Sequence, residues 1–294
     1  MHRRLPNFAK TPKRIVSLVP SMTASLVDLG FGSTLVGITD YCTVPSAVSS
    51  IPARVGGPKD ARFEDIINLL PDLVIANQEE NSRDLIERLG QAGLVVWLTF
   101  PKTVRESLDD LWMLVNVFPS KSATLQLRLL EDSLQFIRLA LADMPLTPYF
   151  CPIWQGQEDD HRLWWMTFNG DTYCSDLLNV CGGKNLFAQH QRRYPLAANW
   201  GAEFAEESGD RDVRYPVVCE DEIRAAKPEV ILLPDEPYPF GEEQKRTILR
   251  IFADTPAVKN GRVHLVDGRL ITWHGTGLGK SLASLPQYFS PTIS

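Results

Sequence analysis

The stretch Ser120-Lys121-Ser122-Ala123-Thr124-Leu125-Gln126-Leu127-Arg128-Leu129-Leu130-Glu131-Asp132-Ser133-Leu134-Gln135-Phe136-Ile137-Arg138-Leu139-Ala140-Leu141-Ala142-Asp143 contains neither glycine nor proline. It places Leu127, Leu130, Leu134, Ile137 and Leu141 at spacings of three and four, the repeat of one helical face. The pattern predicts one long amphipathic helix, which Pro145 and Pro148 end. At about 1.5 Å per residue such a helix runs roughly 35 Å, enough to follow two lobes where a shorter helix would serve one.

Short apolar runs lie on both sides of it. Before the helix they are Arg14 to Pro20, Leu35 to Thr39, Leu73 to Ala76 and Leu94 to Leu98; after it, Tyr149 to Ile153, Trp164 to Thr167, Val230 to Leu233 and Val263 to Val266. Helical patterns separate them. The first begins where Ser21 or Thr23 can cap a helix that runs through Leu29 and stops at Gly30. Continuous apolar strands alternating with helices imply parallel sheets covered on both faces. The expected fold is therefore α/β: two parallel-sheet lobes, 14–118 and 145–290, joined by one long backbone helix over 119–144. An internal echo supports the division. Glu64-Asp65-Ile66 and Pro71-Asp72-Leu73-Val74-Ile75 recur, at one constant offset, as Asp221-Glu222-Ile223 and Pro228-Glu229-Val230-Ile231-Leu232. Helix-dipole stabilisation explains acids at a helix start as readily as a docking role does. Residues 188–217 form the least regular stretch and read as a surface insertion.

Composition narrows the function. The chain has 294 residues, 44% hydrophobic and 22% charged, with a net charge of −6, which fits a globular protein and gives no basic footprint for nucleic acid. No run is long enough for a membrane-spanning helix, and a monomer is expected. The N-terminus Met1-His2-Arg3-Arg4-Leu5-Pro6-Asn7-Phe8-Ala9-Lys10 lacks the apolar stretch of a secretory signal. The five cysteines, Cys42, Cys151, Cys174, Cys181 and Cys219, form no Cys-x-x-Cys pair. Both point to the cytosol; a processed leader would instead make the protein periplasmic or extracellular.

In open parallel sheets ligands bind beyond the carboxyl ends of the strands. The residues there are Ser21, Tyr41, Asn77, Glu79, Glu80 and Asn81 in the first half, and Phe168, Asn169, Asp235, Glu236, Tyr238, Trp273 and His274 in the second. The set is rich in aromatics and acids, which suits a cation, an amine or a ligand with many donors. Each residue has a plainer use: Glu79 and Glu80 as helix caps, Asp235 and Glu236 as turn formers, Tyr41 and Trp273 as core, His274 as a hydrogen-bonded structural group. His274-Gly275-Thr276-Gly277-Leu278-Gly279-Lys280-Ser281 ends like a phosphate-binding loop, but the required first glycine falls on His274, so it reads as a loop that starts a helix. No Gly-x-Ser-x-Gly elbow or Cys-His signature is present, and no catalytic residue is assigned.

Arg14-Ile15-Val16-Ser17-Leu18-Val19-Pro20-Ser21-Met22-Thr23, Val36-Gly37-Ile38-Thr39-Asp40-Tyr41-Cys42 with Pro45, and the text at Leu70 to Ile75 resemble the substrate-binding proteins of iron-siderophore and vitamin B12 ABC importers, closest to the cobalamin-binding branch. Asp176-Leu177-Leu178-Asn179-Val180-Cys181-Gly182-Gly183-Lys184-Asn185-Leu186-Phe187 is similar to that family's second-lobe motif. The resemblance implies two α/β lobes on a backbone helix, small hinge motion and a ligand held in the cleft between the lobes. It matches Tyr41 and Trp273 to cleft aromatics, and Glu64 and Asp221 to acids that dock on arginines of an ABC permease. Where cobalamin binders put an aromatic after the third strand, this chain has Asn77. The expected function is non-catalytic binding of a cobalamin, another corrinoid or another metal chelate, with no resident cofactor and no bound metal, in a carrier, a sensor or an importer component. Direct metal binding by Glu79, Glu80, Asp235, Glu236 and His274, or an enzyme using the same acids, are the alternatives.

Overall fold

The structure is a computed structural model that describes residues 5, 8, 10–43, 51–159 and 161–290. Pro45 and most of the first nine residues lie outside the described residues. The chain divides into two compact units: residues up to Ser133 with Trp273–Gly279, and Leu134–Thr272 with the residues from Lys280 onward.

In the first unit the elements are β1 (Ile15–Ser17), α1 (Pro20–Asp28), β2 (Leu35–Ile38), β3 (Ala53–Arg54), α2 (Phe63–Asn68), β4 (Leu73–Asn77), α3 (Arg83–Gln91), β5 (Val96–Thr99) and α4 (Val104–Val117). The five strands form one parallel sheet in the order β3-β2-β1-β4-β5. β1 and β4 are central, and every residue of both is buried, which is why they read as unbroken apolar runs. Val16, Leu18, Val74 and Ala76 pack with Ile66, Leu85, Ile86 and Leu89 from α2 and α3. The cap expected at Ser21 or Thr23 is a correction. Pro20 is the first helical residue, Val19 precedes it without a side-chain cap, and Ser21 and Thr23 are buried inside the helix. Proline's fixed φ suits that first position, so no capping hydroxyl is needed.

The long helix is α5, Lys121–Ala140. Ala123, Leu127, Leu130 and Leu134 are buried and Ile137 and Leu141 half-buried, the face that the spacing predicts. The division between the units falls inside this helix, after Ser133.

The second unit contains β6 (Thr147–Phe150), β7 (Trp154–Gln157), β8 (Leu163–Met166), α6 (Tyr173–Val180), β9 (Gly183–Asn185), β10 (Val217–Cys219), α7 (Glu220–Ala226), β11 (Val230–Pro234), α8 (Glu242–Ile251), α9 (Pro256–Lys259), β12 (Val263–Val266) and α10 (Arg269–Thr272). Near the C-terminus follow α11 (Leu278–Ser284), which begins in the first unit and continues in the second, and α12 (Pro286–Phe289). A parallel sheet runs in the order β12-β11-β6-β9. The stretch Trp164 to Thr167, expected in the parallel sheet, is instead the centre of a separate antiparallel sheet, β10-β8-β7. The connection from β7 to β8 is too short for the dozen or more residues that a parallel crossover needs. Trp165 nevertheless joins the core of the parallel sheet, in one cluster with Phe150, Phe187, Ile231 and Phe252. In the second-lobe motif Gly182 has φ +101°, and a Cβ on Gly183 would lie 2.7–2.8 Å from the rings of Tyr149 and Phe289. Gly182 is required by its backbone conformation and Gly183 by packing.

Candidate functional site

In the first unit the polar residues at the strand ends are bonded mainly to one another. Asn77 closes β4 with 2% of its surface exposed. Its Oδ1 accepts from the N–H groups of Glu79 (2.8 Å) and Glu80 (3.3 Å), and its Nδ2 donates to Thr99 Oγ1 (3.3 Å). Its own N–H donates to Asn81 Oδ1 (2.7 Å), while Asn81 Nδ2 donates to the carbonyls of Leu18 and Pro58. Asparagine is a good turn former because its amide can bond backbone groups two and three residues on. Here that property fixes the course of residues 78–81. Lys59 Nζ donates to the Glu79 carbonyl, and the Glu79 and Glu80 side chains are half-buried above this turn.

The segment Trp273–Gly279 completes the first unit, although it follows the last strand of the second. His274 Nε2 accepts from Asn77 Nδ2 at 3.4 Å, and burial pushes its imidazole down to about 4, so it is neutral at physiological pH. Gly275 N–H donates to Ser107 Oγ (2.8 Å), Thr276 N–H to Ser25 Oγ (3.0 Å), and Thr276 Oγ1 to Asp28 Oδ2 (2.7 Å). Gly275 has φ +93°, and a Cβ there would stand 2.2 Å from Ser25 Oγ. Only glycine allows this approach. The phosphate-loop lookalike is thus a loop that leads into α11, as expected, but its partners are α1, α4 and β4. Placing Trp273 and His274 with the second half is corrected: long-range hydrogen bonds, invisible to strand counting, pull them to the first.

In the second unit the acids serve loops. Asp235, exposed, accepts from Gly268 N–H (2.7 Å), and Glu236, half-buried, accepts from Thr272 Oγ1 (3.1 Å). Asn169, 3% exposed, accepts from Asp171 N–H and donates to the His190 carbonyl, which ties the irregular 188–217 stretch to the end of β8. Phe168 is fully buried, so its ring has no face for a ligand; that expectation is corrected. Tyr238 is half-buried and stacks edge-on against Trp154 at 5.5 Å and tilted against Phe240 at 4.7 Å. Trp154, 45% exposed, is a residue the sequence reading missed. It directly follows the run Tyr149 to Ile153, so the strand-end rule could have found it.

The predicted residues therefore sort by exposure. Ser21, Asn77, Asn81, Asn169 and His274 are buried scaffolding. Tyr41, 71% exposed, is not core; Asp235 is exposed, and Trp273, Glu79, Glu80, Glu236 and Tyr238 are half-buried surface groups. Among the described residues no group of three or more His, Cys, Asp or Glu side chains could hold a metal ion. A groove of about 640 Å³ in the second unit is lined by Asp176, Asn179, Lys184, Asn185 and Gln189 among others, and borders none of the residues expected to touch a ligand. Glu64 and Asp221 are exposed in the first turns of α2 and α7, and their neighbours are engaged: Asp65 with Arg62, Glu220 with Arg224, Glu222 with the Cys219 N–H.

Residues 15–270 match the periplasmic binding protein family. The vitamin B12-binding protein of Photorhabdus laumondii is 26% identical over 242 residues, 81% of this chain and 74% of that protein. In structure the chain is similar to the periplasmic vitamin B12-binding protein BtuF of Vibrio cholerae, with a TM-score of 0.73, 21% identity and 95% and 96% of the two chains covered. It is also similar to a periplasmic heme-binding protein of Pseudomonas aeruginosa, with a TM-score of 0.70, 22% identity and 96% and 94% covered. Among the described residues no helix is long and apolar enough to cross a membrane. The cytosolic placement expected from the N-terminus finds no support in this family. A match over residues 15–270, together with the two α/β units and the helix α5, establishes that the chain belongs to the periplasmic binding protein family.

Proposed function

We propose that this protein binds, without chemical conversion, a large flat metal chelate of the corrinoid class, and delivers it outside the cytoplasm to an ABC permease. The observation that carries the reading is the set of accessible aromatics beside strand ends in both units: Tyr41 and Trp273 in the first, the Trp154–Tyr238 pair in the second. Aromatic faces offer a planar ligand large contact area at low entropic cost. Glu79, Glu80, Asp235 and Glu236 supply acceptors for peripheral amides. The B12-binding relatives support the corrinoid class, and the heme-binding structural neighbours extend the candidates to other planar chelates. Exposed Glu64 and Asp221, equivalent in the internal echo, are the groups offered to permease arginines.

Isothermal titration and absorption spectroscopy with cyanocobalamin, cobinamide and hemin test this. One of the three binds, and Tyr41→Ala and Trp273→Ala each weaken it at least about tenfold, the scale of a lost aromatic anchor. No heat and no thermal shift with all three at high excess would remove the reading.

A further inference from the structure

Helix α5 carries a second apolar stripe that the fold does not use. Leu125 and Leu129 are 59% and 57% exposed, Phe136 and Leu139 both 69%. At about 100° per residue these four fall within one stripe roughly 80° wide, on the side of the helix opposite the buried Leu127, Leu130 and Leu134. A surface helix of a globular protein has one apolar face. Four large side chains in line on the other face are a patch that marks an interface.

The sequence of the stripe indicates what covers it. Read about Asp132 it is close to a palindrome: Leu125 mirrors Leu139, Leu129 mirrors Phe136, and Lys121 mirrors Asp143 just beyond the helix. The exposed charges along it are positive in the first half, Lys121 and Arg128, and negative in the second, Asp132 and Asp143. None of the four is in an ion pair with another described residue, whereas Glu131, off the stripe, is engaged by Arg105 at 2.9 Å. We propose that α5 pairs with α5 of a second copy of this chain, antiparallel about a two-fold axis near Asp132. In that arrangement Leu125 and Leu129 meet Leu139 and Phe136 of the other copy, Lys121 faces Asp143, and each Arg128 reaches the opposite Asp132. A parallel pairing would set like charges on like. Two-fold interfaces are self-complementary in this way, and opposed helix dipoles add to the preference. The neighbouring Asp132 carboxylates at the axis oppose pairing, and one helix face covers less than the roughly 1,200 Å² of a standard interface. The dimer is accordingly weak, and it departs from the monomer expected from sequence.

Sedimentation equilibrium of the whole chain, from tens to hundreds of micromolar, tests this in the range of such small interfaces. The wild type shows a concentration-dependent dimer. Phe136→Lys weakens it at least about tenfold, with the thermal midpoint unchanged because the residue is exposed. Lys121→Glu weakens it about three- to fivefold, and adding Asp143→Lys restores it. A wild type monomeric throughout, or a dimer indifferent to Phe136→Lys, overturns the proposal. So does failure of the double reversal to restore what the single one removed. A monomeric chain that floats with phosphatidylglycerol vesicles would assign the stripe to a lipid surface and equally overturn it.

Discussion

The ends of β4 and β11 occupy equivalent places in the internal echo and are built on opposite principles. At β4 the polar groups are buried and mutually bonded: Asn77 holds the Glu79 and Glu80 amides, Asn81 holds Asn77, and His274 is brought in from far along the chain. At β11 Asp235 and Glu236 stand at or near the surface, Asp235 accepting from Gly268 just before α10 and Glu236 from Thr272 at the end of α10. A buried network whose members satisfy one another is rigid, and costly when one member is lost. A surface acid can change partner at little cost. The first end is rigid and the second is free to rearrange.

The largest effect that would sharpen this contrast comes from pH. His274 ionises near 6.5 in the unfolded chain and at about 4 in the folded one. Its contribution is fully present above pH 6.5. Below that the unfolded chain takes up a proton the folded chain refuses, so stability falls down to about pH 4, by about 3 kcal/mol in all. His264, half-buried and also lowered by burial, acts in the same direction. The measure is therefore the difference between wild type and His274→Asn in urea denaturation at pH 7.5 and pH 4.5. Equal slopes against pH would break the account of a buried, rigid network.

Next comes Asn77→Ala, which strips two backbone N–H groups of their acceptor and removes the donor to Thr99. A loss of about 2 kcal/mol is expected, against about 1 kcal/mol or less for Asp235→Ala, read from the same denaturation curves. If the two variants cost the same, the two ends do not differ as described. The smallest effect belongs to the exposed acids: Glu64→Ala with Asp221→Ala changes stability by less than about 0.5 kcal/mol and leaves ligand affinity intact. Ligand uptake by cells expressing the variant falls if these acids dock a permease, and unchanged uptake removes that role.

Much of this was legible in the residues. β1, β4 and β11 are buried on both faces and therefore appear as unbroken apolar runs, and α5 shows its core face by spacing alone. β7 did not show, because Trp154-Gln155-Gly156-Gln157 is short, polar and half-exposed, without the signature of a core strand. For the same reason Trp154 escaped notice as an aromatic at a strand end. The candidate residues were proposed from their position, but their exposure was not legible. Nothing local distinguishes Asn77, spent on its own turn, from an asparagine that meets a ligand, and nothing in His274-Gly275-Thr276 announces that its partners lie far back in the chain, at Asn77, Ser107 and Ser25. Hydrogen bonds over such separations are set by tertiary packing and leave no periodic trace.

That distant partnership has a consequence for biogenesis. The N-terminal unit receives His274, Gly275 and Thr276 only after Leu134–Thr272 of the second unit have been synthesised. Until then Ser25, Asn77 and Ser107 lack their partners from Thr276, His274 and Gly275, so the half synthesised first is among the last to be sealed. Nascent chains halted before residue 273 should therefore remain open to proteolysis in their N-terminal half, the reverse of the usual order in which domains mature as they emerge.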